Sequence, residues 1–545
     1  MIARLEKLFF FLLALFPFAM GAVYAFVNIM GGWVRFSGKR GFGFYFMPSL
    51  EVPHYVFGMV LCAAIFSFAA WMSRRKIAEV PRIGNVAICA AIVFALAVST
   101  RLSFLLAFGG GMANTLDPGE AWVRAGGSLT DGFDVRITNW GHYAPWWTCY
   151  SLLMKFFILV FGDHFELFMA MQTLFGGLTA VAILLLAIEV LGSLQLAVFA
   201  SVLYSLMPSN IVYFTAIGNP EHVAIAFHVM AVWLVVRWLM RKMSVWSSLL
   251  HCVLAGFVVA IGDSFKPFFV NLFVATSIAA FVMIVRSGYA GRLVCTRKVV
   301  YGIFLMIVVN ALTHAGTMTM INRVYGVKTS VFDTIPHTLS TGLHRLGEGQ
   351  VFLSPTGMTY CQLRDSGVSR NEATRIVLGK VLDDWKVHWK EVPLFFLKKT
   401  IWTWHDDCCA FYYYEYNRIR GAKVLKGKTI ERIRKYGSAT ALVMYFCLMV
   451  AASAFSFKIA FVKTVVSHGY FVCGLIVLGF MMLLLFTEGA MRYKCVVMPY
   501  IIIFASGTFS CLLRRLLDGL RWSARQDDGC SRKCNRLFSL EGGVP

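Results

Sequence analysis

Long hydrophobic segments alternate with short polar connections along most of this chain. Crossing the roughly 30 Å hydrocarbon core of a bilayer as a helix takes about 20 mostly apolar residues. Lipid offers the backbone no hydrogen bonds, and these runs lack the alternation of barrel strands, so each run favours a helix. The runs lie at residues 8–29, 54–72, 84–107, 165–190, 195–213, 220–240, 245–262, 267–286, 299–317, 437–457, 464–487 and 493–513. The pattern predicts an all-α polytopic membrane protein with about 12 transmembrane helices, interfacial helices and two large extracytoplasmic regions.

The composition agrees with this prediction, since 58% of residues are hydrophobic and only 14% are charged. Soluble proteins carry about 25% charged residues. The net charge is +23, but the basic residues gather in short loops and tails, and no nucleic-acid-binding module accompanies them. Nucleic acid is therefore not an expected partner.

Basic clusters predict the orientation in the membrane. Threading twelve helices places six clusters on one side: Arg4 with Lys7, 74–76, 241–242, 286–298, Lys458 with Lys463, and 514–515. One short loop, with Arg35, Lys39 and Arg40, falls on the other side. By the positive-inside rule the first side is cytoplasmic. We expect cytoplasmic N- and C-termini and a multi-pass protein of a bacterial plasma membrane.

A polar island, Asp117–Trp147, interrupts the hydrophobic pattern on the predicted outer side. Asp117 and Glu120 are three residues apart, so one helical turn would place their carboxylates side by side. The segment from His142 to Phe161 is apolar after Pro145 and predicts an amphipathic helix along the membrane interface. Asp117 is either an ordinary solvated carboxylate or a catalytic base above this helix.

A helix start is predicted at Asn219-Pro220-Glu221-His222, because proline and an acid both favour the first helical turn. These residues either only begin a helix, or Glu221 and His222 face the same outer cavity as Asp117.

A break between two apolar helices contains Asp263-Ser264-Phe265-Lys266-Pro267. Ionisable groups at membrane depth pair with one another, face a cavity or carry function. Asp263 and Lys266 either form a pair, or Lys266 binds an anionic headgroup at the outer side.

The last polar motif is Glu488-Gly489-Ala490-Met491-Arg492-Tyr493, followed by Pro499. Glu488 and Arg492 are spaced for a helical ion pair. An arginine at a helix end often only extends to the interface, but a guanidinium also binds phosphate with two hydrogen bonds.

The order of these motifs resembles the GT-C membrane glycosyltransferases, particularly the branch with protein O-mannosyltransferases and lipid A aminoarabinose transferases (glycosyltransferase family 39-like). The resemblance rests on Asp117, Tyr143-Ala144-Pro145-Trp146, Lys155 to Asp163, Asn219-Pro220-Glu221, Lys266-Pro267, and Arg492-Tyr493 with Pro499. This chain departs from the family pattern in three ways. Its acid pair is stretched, it has one proline at Pro145, and two helices precede the family's first.

The resemblance implies a GT-C-like domain organisation. Its parts are two additional N-terminal helices (1–83), a transmembrane core (84–317) with the first catalytic outer loop (108–164), an extracytoplasmic region (318–436), C-terminal transmembrane helices (437–513) and a basic cytoplasmic tail (514–545).

The resemblance also implies a reaction. A polyprenyl-phosphate-linked hexose or pentose is the expected donor, and an extracytoplasmic protein, lipid or glycan supplies the acceptor hydroxyl. Asp117 is the expected base, an effect worth about 10²–10⁴-fold, with Glu120 and Glu221 as second candidates. Lys266 and Arg492 are expected to hold the donor phosphate.

Further residues are expected to contact acceptor, sugar or the membrane interface: His142, Tyr143, Trp146, His222 and Tyr493. No metal or other cofactor is required by the sequence, although paired acids leave a divalent ion possible. Two rival functions stay open. One is a transporter or flippase of lipid-linked sugars, and the other is a polymerase or ligase of lipid-linked oligosaccharides.

Overall fold

The chain folds into a bundle of helices in a computed structural model. The structure describes residues 2–29, 50–73, 83–108, 121–127, 145–216, 219–286, 289–326, 331–345, 355–404, 411, 427–461, 468–487 and 491–509. Throughout these ranges the regular elements are helices, without a strand. The prediction of an all-α polytopic membrane fold is confirmed.

The helices of the bundle and of the region that follows it are numbered in chain order. They are α1 (Ile2–Leu13), a π-helix (Ala14–Ala19), α2 (Met20–Ile29), α3 (Val52–Ser73), α4 (Ile83–Phe108), α5 (Pro145–Phe161), α6 (Phe165–Leu191), α7 (Leu194–Leu206), α8 (Pro208–Ala216), α9 (Pro220–Met240), α10 (Val245–Phe265), α11 (Phe269–Arg286), α12 (Tyr289–Tyr325), α13 (Val331–Gly342), α14 (Pro355–Asp365), α15 (Arg370–Val387), a 3-10 helix (Trp389–Glu391), α16 (Val392–Trp404), α17 (Gly427–Phe461), α18 (His468–Phe486), a 3-10 helix (Met491–Val496) and α19 (Met498–Phe509).

Nine helices in the described ranges are long and apolar enough to cross a membrane, or ten if α7 and α8 form one bent span. The first and last of the predicted spans are not single long helices in the structure. Residues 8–29 fall across α1, the π-helix and α2, while α19 is a shorter apolar helix of the last segment. The predicted helix after His142 is present as α5.

A 55° bend separates α7 from α8 at Met207–Pro208. Proline has no backbone N–H, so the helical hydrogen-bond ladder is interrupted there. Arg101 of α4 donates to the Ser205 carbonyl at 3.2 Å, and Thr100 donates to the same oxygen at 3.3 Å. These two side chains satisfy a carbonyl at the bend and fix the end of α7 against α4.

The second break separates α10 from α11 at Lys266–Pro267. The Asp263 carboxylate accepts the backbone N–H groups of Phe268 and Phe269 at 2.7 and 3.1 Å. It therefore caps the start of α11. The ion pair that the structure describes for Lys266 is with Glu221 on α9, while the described partners of Asp263 are the start of α11 and His228.

The predicted extracytoplasmic region is joined to the bundle by the buried side chain of Lys399 in α16. Its ammonium donates to the carbonyls of Gly342, Leu485 and Thr487, at the ends of α13 and α18. A Cβ on Gly342 would lie 2.2 Å from the Thr487 carbonyl carbon, so this close approach requires glycine. The contact fixes α13 and α16 against the bundle.

Candidate functional site

The structure describes part of the predicted site. Asp117, Glu120, His142 and Tyr143 lie outside the described residues, as does Glu488. The 3-10 helix Met491–Val496 carries Arg492 and Tyr493, but the placement of their side chains is likewise outside what the structure describes. The expected roles of Asp117 as base and of Arg492 as phosphate ligand therefore stay predictions.

Glu221 and Lys266 form a buried ion pair at one end of the bundle. The lysine Nζ lies 3.2 Å from Glu221 Oε1, and the two side chains are 14% and 5% exposed respectively. Glu221 is in the first turn of α9, after Pro220, where the helix dipole favours an acid. Lys266 follows the last residue of α10, which packs against α9. Two chain segments thus bring opposite charges together in a poorly solvated place.

Trp146 covers the lysine of this pair. The Lys266 ammonium lies 5.4 Å from the centre of the indole ring, within the range of a cation–π interaction. Trp146 belongs to the first turn of α5, and α5 packs against both α9 and α10. The predicted contact residue Trp146 and the predicted phosphate-binding residue Lys266 are therefore neighbours.

A chain of buried hydrogen bonds lies beside the ion pair. Tyr150 on α5 donates from its hydroxyl to Gln172 Oε1 at 2.8 Å. Gln172 Nε2, on α6, lies 2.7 Å from His222 Nδ1. The His222 ring stacks on Phe214 of α8, with ring centres 4.5 Å apart. Four helices therefore fix the orientation of His222.

Electrostatics connects this chain of hydrogen bonds to Glu221. Burial raises the pKa of the Tyr150 phenol well above its ordinary value, and the negative charge of Glu221 raises it further. Tyr150 therefore keeps its proton and acts as a hydrogen-bond donor over the physiological pH range.

Tyr150 and Gln172 were not predicted from the sequence. Each is one polar side chain in an apolar helix, and its partner is distant in sequence: 22 residues separate Tyr150 from Gln172, and 50 separate Gln172 from His222. The available signal was a glutamine inside the apolar run 165–190, because polar residues in transmembrane segments are costly and often functional.

The chain just after Glu120 is anchored to the hairpin of α5 and α6. Trp122 is fully buried and donates from Nε1 to Asp163 Oδ1 at 2.8 Å. Its ring meets Phe165 edge-on at 5.0 Å. The stretch Ala121–Gly127, which follows Glu120 in the sequence, is thus held against the hairpin that carries Trp146 and Tyr150.

A separate polar cluster lies further along α9. His228 is fully buried, with Nε2 3.7 Å from Asp263 Oδ1 and the ring stacked on Phe268. Within the described part of the chain, neither ring nitrogen of His228 has a hydrogen-bond partner, and neither does Nε2 of His314 on α12. Most buried polar groups are satisfied, so this cluster is an unusual feature of the interior.

Lys494 is a buried cation that the sequence analysis did not single out. Its side chain is fully buried, and its ammonium lies 4.6 Å from the centre of the Tyr445 ring. Its 3-10 helix packs against α9, the helix that begins with Glu221. The segment that carries Arg492 is therefore placed against α9, the helix that carries Glu221.

The residues that the structure describes include no group of three His, Cys, Asp or Glu side chains placed to hold a metal ion. Comparison with protein-family models gives no match for this chain, and comparison with curated proteins gives none either.

Proposed function

We propose that this protein is a membrane glycosyltransferase that moves a sugar from a polyprenyl-phosphate-linked donor to an extracytoplasmic hydroxyl group. The observation that carries the proposal is the buried Glu221–Lys266 pair beneath Trp146. A cation, a carboxylate and an aromatic face together suit a ligand with a phosphate and a sugar. The motif order of the GT-C resemblance supports the same reaction class.

Lys266 is the proposed phosphate ligand. In this structure Glu221 balances its charge at 3.2 Å. A phosphate can replace that carboxylate as the partner of the ammonium, because both are oxygen anions. Binding of the donor would then release Glu221 to position the acceptor. Positioning of the acceptor by Glu221 would therefore depend on prior binding of the donor.

The proposed chemical step is a single displacement. The acceptor oxygen attacks the anomeric carbon, and the bond from that carbon to the phosphate oxygen breaks. The polyprenyl phosphate leaves with the bonding electron pair, and the configuration inverts. Asp117 is the proposed base that takes the hydroxyl proton, with Glu120 or Glu221 as second candidates. Lys266 and Arg492 stabilise the leaving phosphate.

The proposed location is a bacterial plasma membrane, with the site on the extracytoplasmic side. Arg237 and Arg241, at the end of α9 far from Glu221, bind Glu189 at 3.0 and 2.9 Å. Lys242 follows directly in the sequence. Basic residues favour the cytoplasmic side, so both chain termini are proposed to be cytoplasmic.

The test uses the purified protein in vesicles with a radiolabelled polyprenyl-phosphate sugar in the outer leaflet and candidate acceptors outside. Transfer of label to an acceptor supports the proposal. Movement of label to the inner leaflet without transfer contradicts it and supports a flippase. Growth of a labelled oligosaccharide on the lipid identifies a polymerase instead.

The second candidate function is transport of lipid-linked sugars, favoured by the interior cluster of His228, Asp263 and His314. Ionisable groups inside a membrane bundle often mark ion or proton paths, and transporters use interrupted helices. The bend at Met207–Pro208 and the break at Lys266–Pro267 are interruptions of that kind. The vesicle experiment separates transport from transfer directly.

A further inference from the structure

A buried chain of hydrogen bonds reaches Nδ1 of the His222 ring and bears on the protonation state of that ring. Tyr150, Gln172 and His222 are each at most 1% exposed, so bulk water does not substitute for a missing partner. The 2.8 Å contact joins the Tyr150 oxygen to Gln172 Oε1, and the 2.7 Å contact joins Gln172 Nε2 to His222 Nδ1. Both polar atoms of the Gln172 amide are therefore used. Both hydrogen bonds must therefore run in the same direction along the chain, either from Tyr150 towards His222 or from His222 towards Tyr150.

Two directions are possible. In the first, Tyr150 donates to the Gln172 carbonyl oxygen, and the Gln172 amide N–H donates to Nδ1 of His222. In the second, the amide is rotated, Nδ1–H of His222 donates to Gln172, and Gln172 donates to the phenol oxygen. The second direction leaves the Tyr150 O–H without an acceptor in the described parts of the chain. Burying an unsatisfied donor is costly, so the first direction is favoured.

We propose that Tyr150 and Gln172 hold His222 as a neutral imidazole with its proton on Nε2, so that His222 is a hydrogen-bond donor rather than a general base. The lone pair on Nδ1 is occupied by the Gln172 N–H. His222 can take up a proton only if that bond breaks and the whole chain reverses. Tyr150 and Gln172 are then positioning residues, acting through His222.

The charges around His222 act in the same direction. The Arg101 guanidinium lies 4.9 Å from the centre of the Phe214 ring on which His222 stacks. A protonated His222 would place a second positive charge on that ring. The negative charge of Glu221 would favour such a proton, but Lys266 balances it. Among the described residues, the charged and titratable groups around this part of α9 include Arg101 (α4), Tyr150 (α5), Tyr213 (α8), Lys266 (α10) and Lys494 (3-10 helix).

The inference gives His222 a role in the proposed reaction, and this part rests on the proposed function. An Nε2–H donor stabilises an oxygen that carries negative charge, and the oxygen that gains charge in the proposed step belongs to the leaving phosphate. Proton removal from the acceptor hydroxyl then falls to a carboxylate, Asp117 or a second candidate, and not to His222.

The direct test is ¹⁵N NMR of histidine-labelled protein in lipid nanodiscs, without substrate. The His222 signals are assigned by their loss in His222→Gln. We expect a protonated Nε2 and an unprotonated Nδ1, unchanged between about pH 5.5 and 8, where an ordinary histidine titrates. A protonated Nδ1, or a doubly protonated ring at about pH 6, overturns the inference.

Matched variants test the positioning role. Gln172→Glu keeps the shape of the side chain but replaces the N–H donor with an acceptor oxygen. It should move the ring proton from Nε2 to Nδ1 in the NMR spectrum and, because the Nε2–H donor is then lost, lower transfer at least about tenfold, the scale of one lost transition-state hydrogen bond. His222→Gln, which keeps a donor near the Nε2 position, should retain more transfer than His222→Asn. Equal losses in His222→Gln and His222→Asn, with an unchanged spectrum in Gln172→Glu, contradict the role.

The two proposals fail in different ways. If the wild-type spectrum shows Nε2–H and no labelled donor is ever consumed, the proposed function is wrong and the assignment of the tautomer stands. If transfer occurs but Nδ1 carries the proton, the tautomer is wrong and the proposed function stands.

Discussion

At the scale of single residues, the site depends on two charges held away from water. Taking an ion pair out of water costs several kcal/mol per ion before the attraction repays it. Glu221 and Lys266 are nearly buried, yet neither lies in the middle of a span, since each is at a helix end. An ion pair in this position contributes little net stability to the fold. Its lysine is well placed to exchange the carboxylate for another anion.

Substitutions in the Glu221–Lys266 pair should affect stability and activity differently. Lys266→Met leaves Glu221 buried without its lysine and should lower the free energy of unfolding by about 3–5 kcal/mol. The double variant Glu221→Gln/Lys266→Met removes both charges, so most of that stability should return while transfer stays lost. The measurements are thermal unfolding in detergent and labelled-sugar transfer. Recovery of transfer in the double variant would contradict the phosphate role of Lys266.

A second residue-scale prediction concerns Asp117. Asp117→Asn should leave expression and donor binding intact and abolish transfer, because the amide cannot accept the proton of the hydroxyl. Asp383→Asn, which changes an exposed acid that pairs with Lys386 on α15, is the matched control and should keep most activity. Turnover of the purified Asp117→Asn variant near the wild-type rate shows that Asp117 is not the base.

Local sequence predicted part of this site. Proline, acid and lysine at helix ends identified Glu221, His222 and Lys266, because helix termini have residue preferences that can be read locally. The ion pair across 45 residues and the Tyr150–Gln172–His222 chain could not be read in that way. Those contacts depend on which helices pack together, and one sequence does not specify helix packing.

At the scale of elements, the break between α10 and α11 positions the lysine. Proline ends the helical pattern at Pro267, and this much was predicted from the sequence. The sequence did not show that Asp263 caps the next helix, because an acid three residues before a lysine equally suggests a pair. The cap and the ion pair together fix the backbone on both sides of Lys266.

The cap gives an element-scale prediction. Asp263→Ala should lower the free energy of unfolding by about 0.5–2 kcal/mol, the usual cost of a lost cap, and should also reduce transfer because Lys266 moves. Ser244→Ala removes the cap at the other end of α10, where the side chain accepts the Ser247 N–H at 3.2 Å. It should cost similar stability without loss of transfer. Equal activity losses in the two variants would mean that the cap does not position the site.

At the scale of the whole molecule, the two ends of the bundle differ in chemistry. One end holds the Glu221–Lys266 pair and the contacts of Lys399, while the other holds Glu189 with two arginines. The hydrophobic pattern predicted the helical membrane fold, because the need for about 20 apolar residues per span is a strong constraint. It did not predict the π-helix in residues 8–29 or the 55° bend, which depend on local packing.

The orientation of the bundle in the membrane can be tested by labelling single cysteines. A cysteine at Val387, which is 75% exposed on α15, should react with a membrane-impermeant thiol reagent added to intact cells. A cysteine at Lys242, in the exposed connection between α9 and α10, should react only after permeabilisation. The wild-type chain gives the background of its own cysteines. The reverse labelling pattern would place the site in the cytoplasm and exclude an extracytoplasmic acceptor.

The Glu221–Lys266 pair is proposed to bind the phosphate of a lipid-linked donor. An electron cryo-microscopy structure of the protein in nanodiscs with polyprenyl phosphate tests this proposal. We expect a phosphate oxygen within hydrogen-bonding distance of Lys266 Nζ, about 2.7–3.2 Å, beside Trp146 and with Glu221 displaced from the lysine. An intact Glu221–Lys266 pair, with the phosphate bound elsewhere on the protein, would contradict the proposal.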